Sequence, residues 1–62
     1  MEQIVNEAVN EAGGAIALAF ELGITHQAIY QWKHIPISRV IEIEAITGIP
    51  RNRLRPDLYE TF

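Results

Sequence analysis

Two short apolar patterns of helical spacing, parted by a single glycine, constrain this chain more than any other feature. In residues 15–22, Ala15, Leu18, Ala19 and Leu22 fall at i, i+3, i+4 and i+7, which lines one face of an α-helix. Gly23 follows where a helix end favours a left-handed residue. Thr25 is placed to cap a third helix by accepting from a first-turn amide, and Ala28, Ile29 and Trp32 repeat the apolar periodicity. The Ile35-Pro36 step is expected to stop that helix, because proline disfavours the helical region for the residue before it. The third helix is therefore expected over residues 25–34. Two helices joined by a Gly-Ile-Thr turn make a helix-turn-helix, in which Ala19 must be small for close approach, Gly23 turns the chain and Ile29 locks the second helix onto the first. Leu18, Leu22, Ile24 and Trp32 are apolar where that arrangement needs them to be, so seven positions agree.

The flanks read as helices too. Ile4, Val5, Ala8, Val9 and Ala12 give a first helix over residues 2–12, broken by Gly13-Gly14. A fourth is expected over residues 37–47, ended by Gly48. Its apolar residues Ile37, Val40, Ile41, Ile43, Ala45 and Ile46 span more than the stripe a surface helix needs, so part of it is expected to face a partner. Residues 50–54 suit one more helical turn, and residues 55–59 an irregular tail anchored by Leu58 and Tyr59, with Phe62 beyond. No segment alternates like a strand. The expectation is a single all-α domain over residues 1–62, four helices plus a short helical turn.

At 62 residues the chain buries too little surface for more than marginal stability, and with no cysteine it has neither a disulfide nor a thiolate metal site to add. A second copy would supplement the core. No apolar run approaches the roughly 18 residues of a membrane span, and no signal-peptide pattern opens the chain, so a soluble, cytoplasmic protein is expected, with no membrane partner. The net charge of −3 argues against a polyanionic partner, but its distribution is uneven. Through Ile24 the charged residues are Glu2, Glu7, Glu11 and Glu21; between Thr25 and Arg55 they are Lys33, Arg39, Arg51, Arg53 and Arg55 against Glu42 and Glu44. Phosphate binding follows local potential, so a basic face set against an acidic back is compatible with nucleic acid.

The third helix carries the candidate chemistry. With Ala28, Ile29 and Trp32 inward, the stripe Gln27, Tyr30, Gln31, His34 lies two residues out of phase, about 200° away at 100° per residue. In helix-turn-helix proteins the second helix enters the major groove and its amino-terminal residues touch base edges. A glutamine amide both donates to and accepts from adenine, a histidine donates to guanine, and a tyrosine ring packs on a thymine methyl. His26, Gln27, Tyr30 and Gln31 are the candidate base contacts. Thr25, Lys33, His34 and Arg39 are candidate phosphate contacts, the last near the positive end of the fourth helix. Arg51, Arg53 and Arg55 either extend the basic rim or stabilise the fold, with Arg55 favoured for the fold. His26 and His34 lack the companions a metal site needs, and no cofactor is expected.

Residues 13–59, through GGAIALAFELGITHQAIYQWKHIPISRVIEIEAITG and RPDLY, resemble the short phage Cro repressors and the related YdaS-type Cro-like antitoxins. Gln31-Trp32-Lys33, Ile35-Pro36, Arg39-Val40, Thr47-Gly48 and Arg55-Pro56-Asp57-Leu58 carry most of the resemblance. It implies a lambda-repressor-like helical fold and a repressor, nucleoid-associated in a bacterial host cell, that binds a short, roughly palindromic double-stranded operator, usually as a dimer. The small size and surplus apolar residues separately give the expectation of a weak homodimer strengthened on DNA, joined through the fourth helix, the segment after Gly48 or the tail near Tyr59 and Phe62. It also implies base reading by His26, Gln27 and Gln31, with Tyr30 close by. The wider group often opens the first helix of the motif with a phosphate-gripping glutamine; Ala15 stands there, leaving backbone amides near Gly14 and Ala15 to serve. Catalysis is not expected, because no acid pair, nucleophile set or phosphate loop is suitably spaced. The competing expectation is a protein-interaction module, an antitoxin or adaptor on the same scaffold.

Overall fold

The computed structural model describes residues 2–59. Among these all regular structure is helical: α1 (Gln3–Glu11), α2 (Ala15–Leu22), α3 (His26–Tyr30), a 3₁₀ turn (Ile37–Arg39) running into α4 (Val40–Thr47), and α5 (Arg51–Leu54). The all-α expectation of four helices plus a helical turn holds. Phe62, expected as a further anchor, lies outside the described residues.

The apolar faces read from the sequence converge on one cluster. Leu18, Ile29, Ile35, Ile43, Leu54, Val5 and Val40 are all less than 2 % exposed, and no polar or charged residue is buried among the described residues. Ile4, Val9, Ala12, Ile24, Trp32, Ile46 and Tyr59 pack around this cluster half-buried. The turn between α2 and α3 is built as its sequence demands. Gly23 is left-handed at φ 71°, which a residue with a β-carbon adopts only at a cost, and this bend lets Ile24 N–H donate to the Ala19 carbonyl at 3.0 Å. Thr25 is extended, and its Oγ1 accepts from Ala28 N–H at 3.3 Å.

α3 is shorter than the residue 25–34 expectation. Gln31 and Trp32 donate to the Ala28 and Ile29 carbonyls at i−3, tightening the last turn, and the chain then leaves the helix. Two forces end it before proline does. Ile35 must reach the core, where it is fully buried, and its carbonyl is taken at 2.8 Å by Arg55 Nη1. Lys33 and His34 therefore sit in a bend after α3 rather than on it. The fourth helix also divides, with residues 37–39 in 3₁₀ form behind Pro36 and α-helix only from Val40.

Candidate nucleic-acid interface

The core fixes which way α3 faces. With Ile29 fully buried, Gln27, Tyr30 and Gln31 are exposed and His26 is half-buried. Gln27 and Gln31 stand one turn apart on the same side of the helix. His26 and Tyr30 form an edge-to-face pair, centroids 5.8 Å apart and planes at 83°. That contact was not legible in the sequence, although its i, i+4 spacing allowed it; it restrains both rings before anything binds. The surface so formed offers amide donors and acceptors, an imidazole and a phenol hydroxyl, with no carboxylate on α3.

The phosphate candidates divide by what already holds them. Lys33 and His34 are exposed, and Lys33 makes no ion pair among the described residues. Thr25 uses a lone pair of its hydroxyl on Ala28, leaving the O–H free to donate. Ala15 is buried at the first position of α2, where no side chain caps the terminus, so only backbone amides are on offer there. Arg39 has a second role that the sequence reading did not anticipate. Its Nη1 donates to the Leu22 carbonyl at 3.4 Å and to Glu42 Oε1 at 3.1 Å, tying the end of α2 to α4.

The remaining arginines are each paired with a carboxylate. Arg51 pairs with Glu44 at 2.9 Å, Arg53 with Glu7 at 2.9 Å, and Arg55 with Asp57 at 2.7 Å. Glu44 Oε2 also accepts from Arg51 N–H at 2.8 Å, so a side chain of α4 caps the start of α5. That backbone bond, followed by the Arg51 guanidinium, holds the Glu44 carboxyl below the usual carboxylate range. The Arg55 fork likewise holds Asp57 low, and Asp57 in turn raises the Arg55 guanidinium. The middle of the chain is thus less basic toward solvent than its composition implies.

One exposed feature was missed. Ile16 and Phe20, one turn apart on the outer side of α2, are 71 % and 83 % exposed. The signal was present, since α2 is apolar at every position except Glu21, and a helix apolar all round is ordinarily buried.

Residues 5–62 match the family described as bacterial toxin YdaS. The chain belongs to the YdaS family. It is also 33 % identical over 60 residues to the gene 30 protein of Enterobacteria phage phi80, a match covering 89 % of this chain and 82 % of that protein. No solved structure is significantly similar to it. The YdaS match takes in α2, α3 and the tail with its Arg55–Asp57 pair, and so spans both the exposed α3 face and the residues that hold its exit. Among the described residues no helix is long and apolar enough to cross a membrane, and no three metal-ligating side chains cluster.

Proposed function

We propose that this YdaS-family protein is a sequence-specific DNA-binding regulator, a Cro-like repressor that works without catalysis in the bacterial cytoplasm. The observation that carries the reading is the opposition of Ile29, fully buried, to Gln27, Tyr30 and Gln31, all exposed at α3; in this reading α2 and α3 are the two helices of a helix-turn-helix. In this reading Gln27 and Gln31 read adenines in the major groove. His26 and Tyr30, already paired, contact bases beside them. Lys33, the Thr25 hydroxyl, His34 and the α2 amides at Ala15 take phosphates, together with the Arg39 nitrogens that Leu22 and Glu42 leave free. Two copies would read half-sites of a near-palindrome about 34 Å apart, meeting on the duplex through the outer side of α4 and the 3₁₀ turn before it, where Ile41 and Ile37 are 48 % and 62 % exposed.

The test is binding to duplex from the gene's own upstream region. Gln31→Ala should cost about 1–3 kcal/mol at one base pair while leaving nonspecific affinity nearly unchanged. Equal loss on all sequences would contradict base reading by Gln31. The second reading, a protein-interaction module, is favoured by the exposure of Ile16 and Phe20, and it expects no duplex preference at all.

A further inference from the structure

Lys33 and His34, the phosphate candidates that follow α3, sit in a bend with little backbone bonding of its own. Trp32 N–H closes the last turn on the Ile29 carbonyl at 3.0 Å, and among the described residues no backbone N–H of residues 33–35 makes a hydrogen bond. Of the carbonyls in that stretch, Ile35 alone accepts, from Arg55 Nη1 at 2.8 Å. This one bond, with the burial of Ile35, fixes where the bend ends. Arg55 is itself aimed: its Nε and Nη2 donate to the two Asp57 oxygens at 3.0 and 2.7 Å, and His34 lines the same recess as both residues. With each guanidinium nitrogen already donating and the side chain 15 % exposed, Arg55 is poorly placed to take a phosphate itself.

We propose that Arg55 and Asp57 are positioning residues for phosphate binding: through the Ile35 carbonyl they hold the bend that presents Lys33 and His34 to the duplex backbone. The inference rests on the DNA-binding reading. A cation on a loose bend must be ordered as the phosphate arrives, and that ordering subtracts from affinity; a bend already held avoids the loss. Neither residue reads a base, so their contribution is the same on every sequence. The sign is diagnostic. Removing an acidic side chain from a DNA-binding protein relieves repulsion and strengthens binding, whereas removing the Asp57 charge frees the Arg55 fork and should weaken it.

The experiment is fluorescence anisotropy over a salt series, with the full chain on duplex from the gene's own upstream region and on a random-sequence duplex. It is run at a temperature where circular dichroism shows each variant as helical as the native chain. Arg55→Ala should weaken both duplexes by the same factor and flatten the log–log salt slope as Lys33→Ala does, by about one per protomer. Lys33→Ala should then cost far less in the Arg55→Ala background than in the native chain. Arg55→Lys should restore part of the affinity. Asp57→Asn, which keeps Arg55 but offers its fork one oxygen in place of two, should weaken both duplexes despite the lost negative charge. Equal losses for Lys33→Ala in the two backgrounds, tighter binding by Asp57→Asn, or Arg55→Ala binding as the native chain does would each overturn the proposal. A native chain that bound both duplexes equally would end the base-reading claim, while the salt slopes would still decide the positioning one. A native chain that bound neither would overturn both.

Discussion

Arg55 Nη1 donates to the Ile35 carbonyl at 2.8 Å, while its Nε and Nη2 grip both oxygens of Asp57. One guanidinium therefore connects the tail to the point where the chain, having left α3, enters the core. Arg55→Ala should lower the thermal midpoint and speed amide exchange in residues 32–35, leaving α1 and α2 protected. Arg55→Lys should rescue only in part, because an ammonium cannot form the planar fork. Exchange that rose equally throughout the chain would show that the bond supports the whole fold rather than this junction.

Acid should act through two carboxylates. Glu44 and Asp57 are both held below their ordinary values, by Arg51 and Arg55 respectively. Groups lowered on folding contribute stability above the unfolded carboxylate range near pH 4, and that contribution is lost as pH falls through their folded values. Urea midpoints should therefore be flat near neutrality and decline below about pH 4.5. Glu44→Gln and Asp57→Asn should each make the decline shallower, and an unchanged acid limb in both variants would remove these pairs from the account.

Core and turn variants should differ in scale. Ile29→Ala empties a fully buried site and should cost about 2–5 kcal/mol. Gly23→Ala forces a β-carbon into a left-handed residue and should cost about 1–2 kcal/mol. Against a total stability of roughly 0.05–0.15 kcal/mol per residue, the first is enough to unfold much of the population and the second is not. Urea titration of both variants checks the order; a cost at Gly23 equal to that at Ile29 would contradict it.

Salt dependence should be shallower than the arginine content suggests. Arg51, Arg53 and Arg55 are occupied by Glu44, Glu7 and Asp57, which leaves Lys33 and part of Arg39 for phosphates. Two protomers then release about four counter-ions, a log–log slope of roughly −4. Lys33→Ala should weaken binding to every sequence alike and flatten the slope, whereas Arg53→Ala should leave it alone. A loss at Arg53 matching that at Lys33 would place the tail arginines on the DNA.

Much of this arrangement was legible in the residues themselves. The seven positions of the two-helix unit, the helix ends at Gly23 and Gly48 and the outward set of α3 follow from periodicity and local backbone chemistry, which act over a few residues. What escaped was non-local. α3 ends early because Arg55, twenty residues on, holds the Ile35 carbonyl, and no spacing within α3 reports that. The ion pairs of Arg51, Arg53 and Arg55 were not legible because charge counting does not show which carboxylate each arginine meets. Ile16 and Phe20 were passed over because the i, i+3, i+4 stripe accounted for α2 without them.

The central claim is that the side of α3 opposite Ile29 reads base sequence. Selection of bound duplexes from a random pool tests it most directly, run with the native chain and with Gln31→Ala. A two-fold symmetric consensus is expected, in which Gln31→Ala relaxes one position in each half-site and leaves the others intact. No enrichment with the native chain, or an identical consensus from both proteins, would contradict the account.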